Sequence, residues 1–189
     1  MKSIGTGTQK VQEELEFLFP DWKNLRMDTD TVSAVNTHEK ILERFQREKI
    51  PVLIGTQMVA KGLNLPDVTL VGVLDADLSL YTGGYRSGET TFNMLTQVVG
   101  RAGRGESEGR AIIQTMVPQN QIIGLAAQQD YEAFYALELE LRRVQQAPPF
   151  GDVAQVTFIG QEETVVFRGA AKFRDSLRAC LQQPPYERQ

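Results

Sequence analysis

Residues 51–77 read PVLIGTQMVAKGLNLPDVTLVGVLDAD, and this stretch decides the fold. Pro51 introduces a short apolar run, Val52-Leu53-Ile54, that stops at Gly55-Thr56. Pro66 then resets the chain before a longer apolar run, Val68 to Leu74. Apolar runs of this length between turn residues read as buried strands, and 68–74 is the best candidate for a central one. Thr56 stands where the first strand ends, the edge at which open α/β sheets bind ligands. Lys61-Gly62 adds a cation and an exposed turn, a combination that ordinary loop chemistry also accounts for.

Working outward, Gly5-Thr6-Gly7-Thr8 opens a helix with Val11, Leu15, Leu18 and Phe19 at helical spacing, closed by Pro20-Asp21. A short strand follows at Leu25–Asp28, then a helix with Ala34, His38, Ile41, Leu42 and Phe45 on one face. Beyond Asp77, a glycine-containing loop at 81–85 leads to a helix from Ser87 to about Ala102, and a strand runs from Arg110 to Thr115. Strands alternating with helices predict an α/β domain with a parallel sheet covered by helices on both faces. After Pro118 come a short helix at 121–127 and a long one at 131–145, with Tyr131, Phe134, Tyr135, Leu141 and Val144 available for packing. Pro148-Pro149-Phe150 marks a boundary. A strand at 153–159 and an amphipathic helix with Val166, Ala170, Phe173, Leu177 and Leu181 follow, too little to close a core. The expected division is a lobe at 1–127, a connecting helix at 128–149, and a truncated α+β piece at 150–189.

Gln97, Arg101 and Arg104 stand at i, i+4 and i+7 of the expected helix and share one face. Two guanidiniums on a fixed face suit the charge that develops in phosphoryl transfer; two surface arginines on a solvated helix end are the plainer alternative. Gly100 and Gly103 remove side chains beside them, which lets another surface come close. No segment matches the Walker pattern G-x-x-x-x-G-K-[ST]. GTGTQK begins like a dinucleotide fingerprint, but Lys10 takes the third glycine position. A helix start of this kind offers backbone N–H groups and threonine hydroxyls to a phosphate, and helix capping explains the threonines equally well.

Metal and nucleophile chemistry is sparsely provided for. Asp75 and Asp77 have the spacing of strand-end metal ligands, yet such pairs are more often solvated or bound to N–H groups. Asp28 and Asp30 lack the frame of a calcium loop. The lone histidine, His38, falls on an apolar face, and the lone cysteine, Cys180, leaves no internal disulfide or cysteine-built zinc site. Trp22, beside Pro20, anchors a turn. Hydrophobic residues make up 41% and charged residues 23%, as in a soluble globular protein. The net charge of −4 argues against a general basic coat for nucleic acid while leaving room for a local groove. With no apolar run near the ~20 residues of a membrane span and no signal core, a cytoplasmic place without membrane contact is expected.

Together, GTGTQKVQEELEFLFP, RMDTDT, LIGTQMVAKG, DVTLVGVLDAD, YRSGE, LTQVVGRAGR and QDYEAFYALELELRR resemble the second, RecA-like motor lobe of superfamily 2 helicases, and within it the PriA-like replication-restart family. Residues 55–68 look like motif V and 97–104 like motif VI. The resemblance runs from Gly5 to about Phe150 and more weakly beyond.

What it implies is specific. Arg101 and Arg104 would reach the γ-phosphate of ATP held by a first lobe, and Gln97 would help sense hydrolysis. Gly62 and Asn64 would lie near the nucleotide. Gly7 and Thr8 would cradle a DNA phosphate, and Thr56, with Lys61 a weaker candidate, would contact the DNA backbone. ATP and magnesium would be bound mainly by the absent first lobe, and zinc would belong to an upstream module, with Met1 expected just after its cysteines. The implied whole is an ATP-dependent 3′-to-5′ DNA helicase of primosome assembly and fork restart. Its partners would be single-stranded and forked DNA, single-strand-binding protein and other primosome proteins. Lacking a Walker loop, this chain alone is expected to be inactive; the alternative is a non-hydrolytic α/β module that binds DNA or replication proteins. Asn64 replaces a frequent aspartate, Leu63 a frequent histidine and Thr90 a frequent arginine of the family pattern, so no site role is assigned to Glu89.

Overall fold

The computed structural model describes residues 7–27, 35–56, 67–82, 84–100, 102 and 109–182, with side chains of the second helix described from Glu39 onward. The chain divides into two compact units, Met1–Ala147 and Pro148–Gln189.

In the first unit, α1 (Thr8–Leu18) packs against β1 (Asn24–Met27) and β2 (Val52–Gly55). Of its expected apolar positions, Val11 and Leu15 are half-buried, whereas Leu18 and Phe19 stay exposed. The turn into β1 is built by Trp22, which stacks on Phe19 with ring centroids 4.9 Å apart and donates its backbone N–H to Phe19 O at 3.0 Å. Helix α2 (Val35–Arg47) turns Ile41, Leu42 and Phe45 inward. It closes with Lys49 at φ 48°, a left-handed conformation, and with the Ile50 N–H donated to Phe45 O at 3.1 Å. β1 and β2 pair in parallel, Asn24 opposite Val52 through Met27 opposite Gly55.

β3 (Leu70–Val73) pairs in parallel with β4 (Arg110–Ile113). Among the described residues these strands form two separate two-stranded sheets, where the sequence suggests one continuous sheet. Among the described residues, the two faces of the β3–β4 pair differ in burial. Val71, Val73, Ala111 and Ile113 are half-buried, while Leu70 and Ile112 are each 58% exposed. The reason lies in the helices: α3 (Ser87–Val99), α4 (Gln121–Gln128) and α5 (Tyr131–Val144) send their apolar residues into one core on one side. That core consists of Ala76, Phe92, Leu95, Ile123, Ala126 and Phe134, with Val73 and Ile113 against it. Phe92 and Phe134 stack with centroids 3.9 Å apart and planes 9° from parallel. Asn120 caps α4 by accepting from the Ile122 and Ile123 N–H groups, and Asp130 caps α5 by accepting from Ala133 N–H. Of the apolar residues expected to pack from α5, only Phe134 is buried; Tyr131, Tyr135, Leu141 and Val144 are exposed.

The carboxyl ends of β3 and β4 are tied together by Asp77. Its carboxylate accepts the Met116 N–H at 2.7 Å and the Thr115 hydroxyl, and the Ala76 N–H reaches Gln114 O at 3.1 Å. The Met116 and Thr115 hydrogen bonds hold the Asp77 pKa below the ordinary carboxylate range.

The second unit contains α6 (Glu163–Leu181) but no strand among its described residues. Residues 153–159, expected as a strand, carry no strand pairing, since among the described residues no neighbour offers a ladder to their N–H and C=O groups. They pass close to the helix instead: Phe158 meets Phe173 with centroids 5.6 Å apart, and a Cβ on Gly160 would stand 2.8 Å from Val166 Cγ2. No residue of α6 is buried, and Phe167 is 72% exposed. Among the described residues, no helix is long and apolar enough to cross a membrane.

Two outcomes are expected. Phe92→Ala should cost about 3–5 kcal/mol in urea unfolding, the usual loss for a truncated core aromatic. Asp77→Asn should lower the urea midpoint at neutral pH. Because the folded-state pKa of Asp77 is depressed, its stabilisation is present above ~3.9, the unfolded carboxylate value, and disappears as pH falls through the folded value. The gap between the two proteins should therefore close in acid, as unfolding curves at pH 7 and at about pH 3 would show.

Candidate functional site

Gly7 is the N-cap of α1, with extended backbone angles of φ −62° and ψ 149°. It accepts the Val11 N–H at 3.2 Å, and a Cβ built on it would meet nothing within 4 Å. The N-cap, a glycine, offers no side-chain cap, and no acidic residue stands in the first turn of the helix, whose amino end carries a partial positive charge. Thr8, the first helical residue, is half-buried, and Thr6 lies outside the described residues.

Topology brings this helix start to Thr56. α1 ends where the turn at 19–23 reverses the chain into β1, and Asn24 Nδ2 donates to Glu16 Oε1 at 3.3 Å across that turn. A helix of 11 residues spans ~16 Å at ~1.5 Å per residue, close to the ~13 Å length of a four-residue strand. The amino end of α1 therefore lies toward the carboxyl ends of β1 and β2. Thr56 is exposed directly after β2, at that same edge. Gly7, Thr8 and Thr56 thus share one edge of the β1–β2 pair, toward which the amino end of α1 lies. Such an edge suits an anion. Lys61, expected to join them, lies outside the described residues, as do Gly62 and Asn64.

The second group of expected residues is carried by α3. Gly88, Thr91, Phe92 and Leu95 form its buried stripe, and Gln97 is exposed near its carboxyl end. Val98, Val99 and Ala102 are half-buried, as the sequence suggests for the side facing the sheet. The helix closes at Val99, earlier than Ala102, with the Gly100 N–H donated to Thr96 O at 2.9 Å. A Cβ on Gly100 would stand 3.2 Å from Gln129 Nε2, so the surface that the missing side chain admits is the end of α4. Arg101 and Arg104 lie outside the described residues.

Asp77 faces Thr115 and Met116, so its carboxylate is engaged within the fold. Among the described residues, no group of three His, Cys, Asp or Glu could hold a metal ion. Glu89, to which the sequence assigns no role, has one in the structure: Arg142 Nη2 donates to its Oε2 at 2.8 Å. Arg142 also donates from Nε to Glu138 Oε1 at 2.9 Å, a pair visible in the sequence as i, i+4. Its partnership with Glu89, 53 positions away, carries no local signal.

Comparison with known proteins fits this architecture. Residues 6–106 match the helicase conserved C-terminal domain. The replication restart protein PriA of Bacillus subtilis (strain 168) is 47% identical over 179 residues, which is 95% of this chain and 22% of that protein. The protein of the same name from Synechocystis is 44% identical over 88% of this chain and 20% of its own length. That of Chlamydia pneumoniae is 37% identical over 94% of this chain and 24% of its own length. The chain thus spans roughly a fifth to a quarter of these relatives, on the shares just given. With parallel strand pairs alternating with helices and more than half its residues matched, the chain belongs to the helicase conserved C-terminal domain family, an α/β fold of the RecA-like kind.

Proposed function

We propose that this chain is the second motor lobe of an ATP-dependent DNA helicase acting in primosome assembly and replication-fork restart. The observation that carries the reading is the 47% identity to a replication restart protein across 95% of the chain. The edge shared by Gly7, Thr8 and Thr56 supports it, since DNA bound there would present phosphates to a helix amino end. Lys61 adds a cation to the same backbone contact.

ATP bound by a first lobe supplies the phosphoryl group; the residues of this chain act on it from across a cleft. Arg101 and Arg104 stabilise the charge that builds on the γ-phosphate, a task that fits the planar guanidinium and its fixed donors. Gln97 senses the state of that phosphate from the end of α3. Gly62 and Asn64 line the nucleotide on the motif V side. Magnesium is assigned to the first lobe and zinc to an upstream module of a longer protein. The motor works in the cytoplasm on single-stranded and forked DNA, moves 3′ to 5′, and meets single-strand-binding protein and other primosome components.

The test uses a full-length motor, the Bacillus relative with this chain in place of its matching segment. Arg104→Ala should lower DNA-stimulated ATP hydrolysis by about 10³ or more, the scale of an arginine finger, while binding of a fluorescent ATP analogue persists. Unchanged turnover would remove the finger role. The isolated chain should show no hydrolysis at a motor-like rate; rapid turnover by it would contradict the division of labour between lobes.

A further inference from the structure

We propose that Arg142 is a positioning residue, which sets the tilt of α3 through Glu89 and thereby places the helix end that carries Gln97 and from which the sequence runs on to Arg101 and Arg104. The proposal rests on reading Arg101 and Arg104 as fingers. Glu89 stands in the first turn of α3, and Gln97 near its last. Arg142 belongs to α5, so the 2.8 Å contact with Glu89 joins two helices, whereas the 2.9 Å contact with Glu138 stays within α5.

The guanidinium is held from several directions. It lies 5.4 Å from the centroid of the Tyr85 ring, just before α3 begins, and its side chain is only 16% exposed. Glu138 is 12% exposed and Glu89 45%. A planar group that bridges two carboxylates and also faces a ring has one orientation, which an ammonium could not reproduce. Gly88 brings the helices together at this point. A Cβ there would stand 2.9 Å from Glu138 Oε2 and 3.0 Å from Ile122 Cδ1.

Leverage makes the contact matter for chemistry. A helix of 13 residues is ~20 Å long at ~1.5 Å per residue, so a tilt of about 6° about its middle moves its far end by about 1 Å. A misplacement of ~1 Å at reacting groups can cost ~10²-fold in rate. Phe92 and Leu95 seat the middle of α3, and the charged contact at its start restrains the remaining rocking motion about that seat.

The same full-length motor tests this with two single substitutions. Glu89→Gln removes the link between helices and keeps the pair within α5. Glu138→Gln removes the more buried partner and keeps the link. The expected result is an inversion of order. Glu138→Gln lowers the melting temperature more, yet Glu89→Gln lowers kcat for DNA-stimulated hydrolysis by about tenfold with KM for ATP within twofold, well below either melting temperature. Arg142→Lys should behave as Glu89→Gln does. A kcat for Glu89→Gln equal to the parent's, or a fall for Glu138→Gln as large as that for Glu89→Gln, would overturn the proposal. Arg104→Ala in parallel separates the two ideas. If it abolishes turnover while Glu89→Gln does not affect it, the fingers stand and the positioning role falls; if it has no effect, the finger reading itself fails.

Discussion

The flat stack of Phe92 on Phe134 is the contact on which the first unit depends. It joins α3 to α5 at the centre of a core in which Leu95 and Ala126 are wholly enclosed. Burying two phenyl rings face to face removes a large apolar area from water and adds an aromatic contact worth ~0.5–1.5 kcal/mol beyond that area. Once α3 is seated this way, its stripe of Gly88, Thr91, Phe92 and Leu95 must face inward and Gln97 must face out. The exposed end of the helix is therefore a product of its buried middle. β3 and β4 gain cover from the same core, through Val73 and Ile113.

Polar contacts then refine what the core leaves loose. Asp77 closes the carboxyl ends of β3 and β4 with donors from Thr115 and Met116, which fixes the start of the segment leading into α3. Asn120 and Asp130 cap the two helices that receive α3. The edge formed by Gly7, Thr8 and Thr56 follows a different logic. There, a helix amino end that begins at a glycine N-cap, with no acidic residue in its first turn, offers backbone N–H groups and a partial positive charge.

Much of this is legible in the sequence because it is periodic. The runs at 52–54, 68–74 and 110–115 announce their strands, and residues 121–127 and 131–145 announce helices that the structure reproduces nearly to the residue. Pairing is not written locally: nothing in Leu70 or Ile112 reveals that among the described residues both stay exposed in the β3–β4 pair. The expected strand at 153–159 fails for the same reason, since β-forming residues need a partner that the second unit does not provide among its described residues. Motif residues are legible as letters, and Gln97, Thr56, Gly7 and Thr8 can be followed into the structure. The contact of Arg142 with Glu89 escapes sequence reading because its spacing follows no helix or strand period, while Glu138 and Arg142 stand one helical turn apart and advertise themselves.

Gly88 shows how narrow the allowance between α3 and α5 is. Its hydrogen faces the Glu138 carboxylate and the tip of Ile122, where a Cβ would stand 2.9 and 3.0 Å away. One added methyl would press on a carboxylate that already grips Arg142 and on the tip of Ile122, and those side-chain ends would have to give way. The absence of a side chain at this position works as a gauge block: it sets the gap between two rigid rods, and everything mounted at the far end inherits that setting.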